Sequence, residues 1–121
     1  MVTVTRSQRL CPLQEIPDGG ATAVDARLCG ADGVDELVSV ILLRRGGQVW
    51  GYLNVCPHAG RRLDYAPGKF LLQQDTLICA VHGASFEQAS GACVGGPCRG
   101  ESLHRVRIRV EDGTVDLLPE D

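Results

Sequence analysis

Cys56-Pro57-His58-Ala59-Gly60 and Cys79-Ala80-Val81-His82-Gly83 are the stretches whose reading decides the rest of this 121-residue chain. Each offers one thiolate and one imidazole, spaced C-x-H in the first box and C-x-x-H in the second. Two Cys and two His meet the ligand count of a tetrahedral zinc or of a mixed-ligand iron–sulfur cluster. Zinc modules commonly take both Cys from one knuckle and both His from a helix, whereas each loop here supplies one of each. The split order suits two irons, one held by both thiolates and the other by both imidazoles. A zinc-stapled β module acting in protein interaction stays open as the rival reading.

With those boxes in place, the chain resembles the Rieske [2Fe–2S] family, whose paired loops match Cys56, His58, Cys79 and His82 one for one. Downstream, Phe86, Gly91 and Gly95-Gly96-Pro97 look like that family's glycine–proline loop over the cluster. The resemblance implies one [2Fe–2S] cluster per chain on those four ligands, with Gly83, Gly96 and Pro97 as loop support. It also implies an all-β fold: an antiparallel sandwich or barrel base, residues 1–53 and 99–121, carrying an inserted cluster-binding subdomain, residues 54–98. The whole chain, 1–121, then forms a single domain.

Departures from the high-potential members are informative. Those carry an extra Cys in each box, joined as a disulfide, and a Ser after the second His-Gly. Here Gly60-Arg61 and Ala80-Val81 stand in the neighbouring places, and Ala84 follows Gly83. Without the disulfide and the hydroxyl donor, fewer bonds stabilise the more negative reduced cluster, which predicts a potential below zero versus hydrogen.

The family likeness implies an electron carrier between a reductase and a terminal oxygenase, with no catalytic residues of its own. A small Rieske subunit of a multicomponent enzyme, of the kind found in assimilatory nitrite reductase, is the alternative. No glycine-rich phosphate loop, nucleotide fingerprint or second 2-His-1-carboxylate iron site occurs in the sequence.

Composition bounds these readings. A charged fraction of 22% and a hydrophobic fraction of 44% are ordinary for one globular domain. Fifteen Gly and six Pro favour a turn-rich β fold. The net charge of −3 argues against nucleic acid as partner and suits steering onto basic patches of redox proteins. Met1 to Leu10 has no apolar core of an export signal, and no stretch approaches a membrane span. The expectation is a cytoplasmic, membrane-free monomer when isolated, in a compartment that keeps most of the six Cys reduced.

Along the chain, Leu10–Ile16 and Ala21–Leu28 read as early strands broken by Pro17-Asp18-Gly19-Gly20. Glu36–Arg45 is apolar on both faces and predicts a strand buried on both sides. Gly46-Gly47 leads into Gln48–Val55, where Val49, Leu53 and Val55 alternate with Gln48, Trp50, Tyr52 and Asn54. Lys69–Leu72 and Thr76–Ile78 precede the second box. At the end, Val106, Ile108 and Val110 alternate with Arg105, Arg107 and Arg109, and Asp112-Gly113 predicts a two-residue hairpin to Val115 and Leu117.

The remaining candidates have plainer readings. Cys93 and Cys98 flank the glycine–proline loop and read as two thiols rather than a clamp. Cys11 and Cys29 read as small buried hydrophobes. Arg61 and Arg62 form either a docking patch or a solvated loop. Arg105, Arg107 and Arg109 read as a wet strand face, Trp50 and Tyr52 as packing residues, and His104 as structural.

Overall fold

The apolar run predicted to be buried on both faces lies in strand β3, Asp35–Arg45. Val40 and Leu42 enter one core while Ile41 and Leu43 enter another, and all four are fully buried. Side chains alternate across a strand, so a run of four apolar residues needs a cover on each side. Only the start of the run departs from expectation, with Leu37 63% exposed.

The computed structural model describes residues 7–29, 33, 35–57, 62–79, 83–96 and 100–119. Around β3 lie β2 (Ala21–Cys29) and β4 (Gln48–Leu53), and a short β9 (Arg105–Val106) completes an antiparallel sheet in the order β2-β3-β4-β9. One face is covered by a three-stranded sheet, β1-β11-β10, built from Gln8–Pro12, Thr114–Leu117 and Ile108–Glu111. Between these two sheets Ile16, Leu28, Val40, Leu42, Val106, Val115 and Leu117 form a sandwich core. The other face is covered by a small antiparallel sheet of β5 (Leu71–Gln73), β6 (Thr76–Ile78), β7 (Ser85–Glu87) and β8 (Cys93–Gly95). Every strand pairing is antiparallel.

Where strands were predicted, the differences have local causes. The first strand stops at Pro12, which has no N–H for a ladder, and the chain makes a 3-10 turn over Leu13–Glu15 instead of running on to Ile16. β4 ends at Leu53 rather than Val55. The Val55 N–H bonds back to the Leu53 carbonyl at 2.8 Å, and that tight turn breaks the alternation. Asn54 is consequently buried, and Val55, expected on the apolar face, is 48% exposed. β5 begins at Leu71, because Lys69 is used in a turn, donating to the Ala66 carbonyl and accepting from Tyr65.

The C-terminal hairpin forms as predicted, with Asp112 and Gly113 at φ of 51° and 73°, both positive as a two-residue type I′ turn demands. The three arginines are exposed, but the strand they were assigned to is split. Residues before Arg107 pair with β4 and those after it with β11, so the chain changes sheets there. Trp50 and Tyr52 are buried packing residues, and Arg45 lies over the Trp50 ring at 5.7 Å. Cys11 is buried, and burial, aided by Glu15, pushes its thiol above the ordinary value. The side chain of Cys29 lies outside the description. No helix among the described residues is long and apolar enough to cross a membrane.

The large and small sheets are joined at the end of the small sheet away from its β6–β7 tip. The Tyr52 hydroxyl, fully buried, donates to the Gln88 carbonyl at 2.7 Å. Gln88 in turn donates its side-chain amide to the carbonyls of Thr76 and Gln74 at 3.1 and 3.3 Å. Burial pushes the Tyr52 phenol up to about 12, against the pull of Arg105 and with a further push from Glu87. The folded state therefore favours the neutral phenol. Its contribution is fully present below the unfolded value near 10 and disappears as pH climbs towards the folded one. Tyr52→Phe is expected to lower the unfolding free energy at neutral pH by about 1–3 kcal/mol, because a buried carbonyl loses its donor. Urea melts at rising pH should also show the variant losing less stability than the parent across that alkaline window.

Candidate metal centre

The second box is the tip of a β-hairpin. β6 and β7 pair through Thr76–Glu87, Leu77–Phe86 and Ile78–Ser85, and the next pair along is Cys79 with Ala84. There the Cys79 N–H donates to the Ala84 carbonyl at 2.7 Å, and the Gly83 N–H donates back to the Cys79 carbonyl at 2.9 Å. Gly83 has φ of 72°, a left-handed conformation that lets the chain re-enter β7. Backbone hydrogen bonds alone thus close the neck of this box.

The first box follows β4, and among the described residues no strand pairs with its Cys56 or Pro57. Cys56 is fully buried, the adjoining Pro57 is half-buried, and the chain re-enters the core at Leu63, also fully buried. Beyond it, Arg62 and Asp64 form a fork of two hydrogen bonds at 3.0 and 2.7 Å, and the Gly68 N–H adds a third bond to the same carboxylate at 3.1 Å. The Arg62 bond holds the Asp64 carboxyl below the usual carboxylate range, against the opposing effect of burial.

Cys56 and Cys79 meet in one apolar cluster with Leu63, Leu77, Ala84 and Phe86, packed on Ile41, Leu43, Trp50 and Tyr52 of the large sheet. Neither side chain has any exposure. Cys93 joins the same cluster, and its Sγ donates to the Gly95 carbonyl at 3.2 Å. Gly96, at φ of 88°, lies so close to the second neck that a Cβ there would come 2.8 Å from Ala84 Cα and 3.2 Å from the Gly83 carbonyl. His58, His82, Pro97, Cys98 and Arg61 lie outside the described residues. Among the described residues no group of three or more His, Cys, Asp or Glu gathers as a metal site.

A model of the Rieske [2Fe-2S] domain family matches residues 6–119. The chain belongs to the Rieske [2Fe–2S] domain family. Membership carries with it a [2Fe–2S] cluster as cofactor. The described part of the site fits such a group: one thiol from each box is fully buried in a single apolar cluster, and thiolates are the soft ligands that such irons take.

The fold is shared with solved structures of the same family. The ferredoxin of carbazole 1,9a-dioxygenase from Nocardioides aromaticivorans IC177 matches with a TM-score of 0.71 at 22% identity, covering 96% of this chain and 100% of that one. The ferredoxin of Sphingomonas yanoikuyae B1 matches at 0.66 and 25% identity, covering 95% and 99%. The terminal oxygenase of carbazole 1,9a-dioxygenase from Novosphingobium sp. KA1 matches at 0.76 and 21% identity, but only 31% of that longer chain is covered against 99% of this one. No curated protein sequence matches the chain.

Several residues that shape this Rieske site were not singled out from sequence. Asn54 stood only on the polar side of the expected strand Gln48–Val55, and neither Asp64 nor Gln88 carried a reading of its own. The strands β7 and β8 were read as parts of a loop, although Ser85-Phe86-Glu87 does alternate. Asn54 and Gln88 are buried, and that depends on contacts remote in sequence. Two glycine substitutions separate strain from collision. Gly83→Ala, with open space at its Cβ, should cost about 1–2 kcal/mol of backbone strain. Gly96→Ala meets that strain plus backbone atoms, so its melting temperature should fall further than that of Gly83→Ala in parallel thermal scans.

Proposed function

We propose that this Rieske protein is a one-electron carrier that holds its cluster on Cys56, His58, Cys79 and His82 and works between a reductase and a terminal oxygenase. The observation that carries the reading is the pair of fully buried thiols, one from each box, in a single apolar cluster. When bound, the cluster supplies a one-electron couple. Cys56 and Cys79 would hold one iron, with Leu63, Leu77 and Phe86 keeping water from their sulfurs. His58 and His82 would hold the other through one ring nitrogen each, leaving the second nitrogen to carry a proton and to face a partner.

Coverage of the ferredoxins from end to end, 100% and 99% of their lengths against 31% of the oxygenase, supports a carrier of the ferredoxin kind. One neighbour is a complex of reduced oxygenase with oxidised ferredoxin in carbazole 1,9a-dioxygenase, which supports protein partners of that kind here. In this reading residues 54–98 carry the cluster and residues 1–53 and 99–121 form the base. The protein acts in the cytoplasm as a monomer that meets its partners transiently.

The potential is expected below zero versus hydrogen. Ala84, in the place of the Ser of high-potential members, offers no hydroxyl to the cluster. Iron and sulfide analysis, with electron paramagnetic resonance of the dithionite-reduced protein, should give two irons per chain and a Rieske signal. Stoichiometric zinc with no signal in natively purified protein would refute the carrier reading. In a potentiometric titration, a midpoint above about +100 mV would overturn the low-potential assignment, since Rieske centres span roughly −150 to +300 mV. His82→Cys should keep some cluster and lower the midpoint towards all-Cys values; an unchanged midpoint would remove His82 from the ligand set.

A further inference from the structure

The two boxes are closed in different ways. Backbone bonds between Cys79, Gly83 and Ala84 close the second at its neck. At the first, the corresponding place is taken by a side chain. Asn54, two residues before Cys56, is 2% exposed, and among the described residues only Gln88 is also a buried polar side chain. Its Oδ1 accepts the Leu63 N–H at 2.8 Å, which bridges the two ends of the loop that contains the box. Leu63 N–H can only donate, so the orientation of the amide is fixed, and Nδ2 is left to donate. It donates to Ser39 Oγ at 3.2 Å. The Asn54 backbone N–H adds a bond to the Ser39 carbonyl at 3.0 Å. Ser39 belongs to β3, so these bonds tie both ends of the loop to the central strand of the fold.

We infer that Asn54 is a positioning residue for the first ligand loop, a side-chain clasp that does for Cys56 and His58 what the hairpin backbone does for Cys79 and His82. The inference rests on the proposed ligand set. A loop anchored at one end only would leave a ligand free to drift, and supporting groups beyond the ligands commonly change metal affinity by 10–100-fold. Asn54 is neutral and its polar atoms are already bonded, so its effect on the cluster is exerted through the geometry of the loop.

The test compares holoprotein variants of the two buried amides. Asn54→Leu is close in volume, introduces no charge and leaves the Leu63 N–H without an acceptor. Gln88→Leu strips a comparable set of hydrogen bonds from the small sheet without touching the first loop. Both should lose similar stability, read as comparable falls in melting temperature. Only Asn54→Leu should shift or broaden the signal of the reduced cluster and speed iron loss to a chelator by about tenfold or more. Ser39→Ala, which removes one of the bonds, should move both readouts the same way by less, and it decides the matter if Asn54→Leu does not fold. A parental signal in these variants, with iron loss no faster than in Gln88→Leu, overturns the clasp while leaving the cluster reading intact. A parent chain that binds no iron or sulfide sinks the ligand set and the clasp together.

Discussion

The burial of β3 and β4 on both faces is the constraint from which the rest of the fold follows. Val40 and Leu42 on one side and Ile41 and Leu43 on the other are all withdrawn from water, each gaining roughly 1.5–3 kcal/mol of transfer free energy. Such a sheet needs two covers. The first is the three-stranded sheet β1-β11-β10, closed by the Asp112-Gly113 hairpin. The second is the small sheet β5–β8 together with both ligand boxes, so Cys56 and Cys79 belong to the same apolar cluster as Trp50 and Tyr52. The end proposed to hold the cluster is therefore part of the hydrophobic core, and cluster loading and folding of the small sheet should be thermodynamically linked.

That arrangement explains how mechanical load is divided over the small sheet. Tyr52 and Gln88 fasten its root: the hydroxyl bond crosses from the large sheet to the turn following β7, and the Gln88 amide bonds continue within the small sheet to Gln74 and Thr76. The far end carries the second box as a hairpin tip, and Gly96 packs against that tip closely enough to exclude a methyl group. Among the described residues no strand directly follows the first box. It depends on Asn54, Leu63 and the Arg62–Asp64–Gly68 network, all reached through turns.

Much of this was legible in the residues. The double-sided apolar run in β3, strand β6, the C-terminal hairpin and the family itself follow from periodicity, turn chemistry and ligand spacing. The sheet exchange at Arg107 was not legible, because period-two alternation is identical whether a strand stays with one partner or changes partners. Neither was the burial of Asn54 in place of Val55. Alternation carried forward from Val49 and Leu53 puts Val55 inside, and the back-bond from Val55 N–H to Leu53 reverses that over two residues. β7 and β8 are three residues each, too short for a pattern to stand out among the surrounding glycines. Their pairing arises only once β6 provides an edge.

The clasp also bears on how a Rieske centre can be rigid and low in potential together. A disulfide between the boxes and a hydroxyl beside the second one would hold the loops, and the hydroxyl would in addition stabilise the reduced cluster and raise its potential. Here the sequence has Ala84 after Gly83 and no Cys in the neighbouring places of either box. Support of the described parts of both loops instead comes from groups whose bonding capacity is spent elsewhere. Asn54 Nδ2 donates to Ser39, and Oδ1 is taken by Leu63. The backbone donors at the second neck, Cys79 N–H and Gly83 N–H, are taken by the Ala84 and Cys79 carbonyls. Gly96 contributes by contact alone. Loops held this way gain order without offering the cluster the donors that would favour its reduced form, so in the proposed carrier positional precision and potential can be set independently.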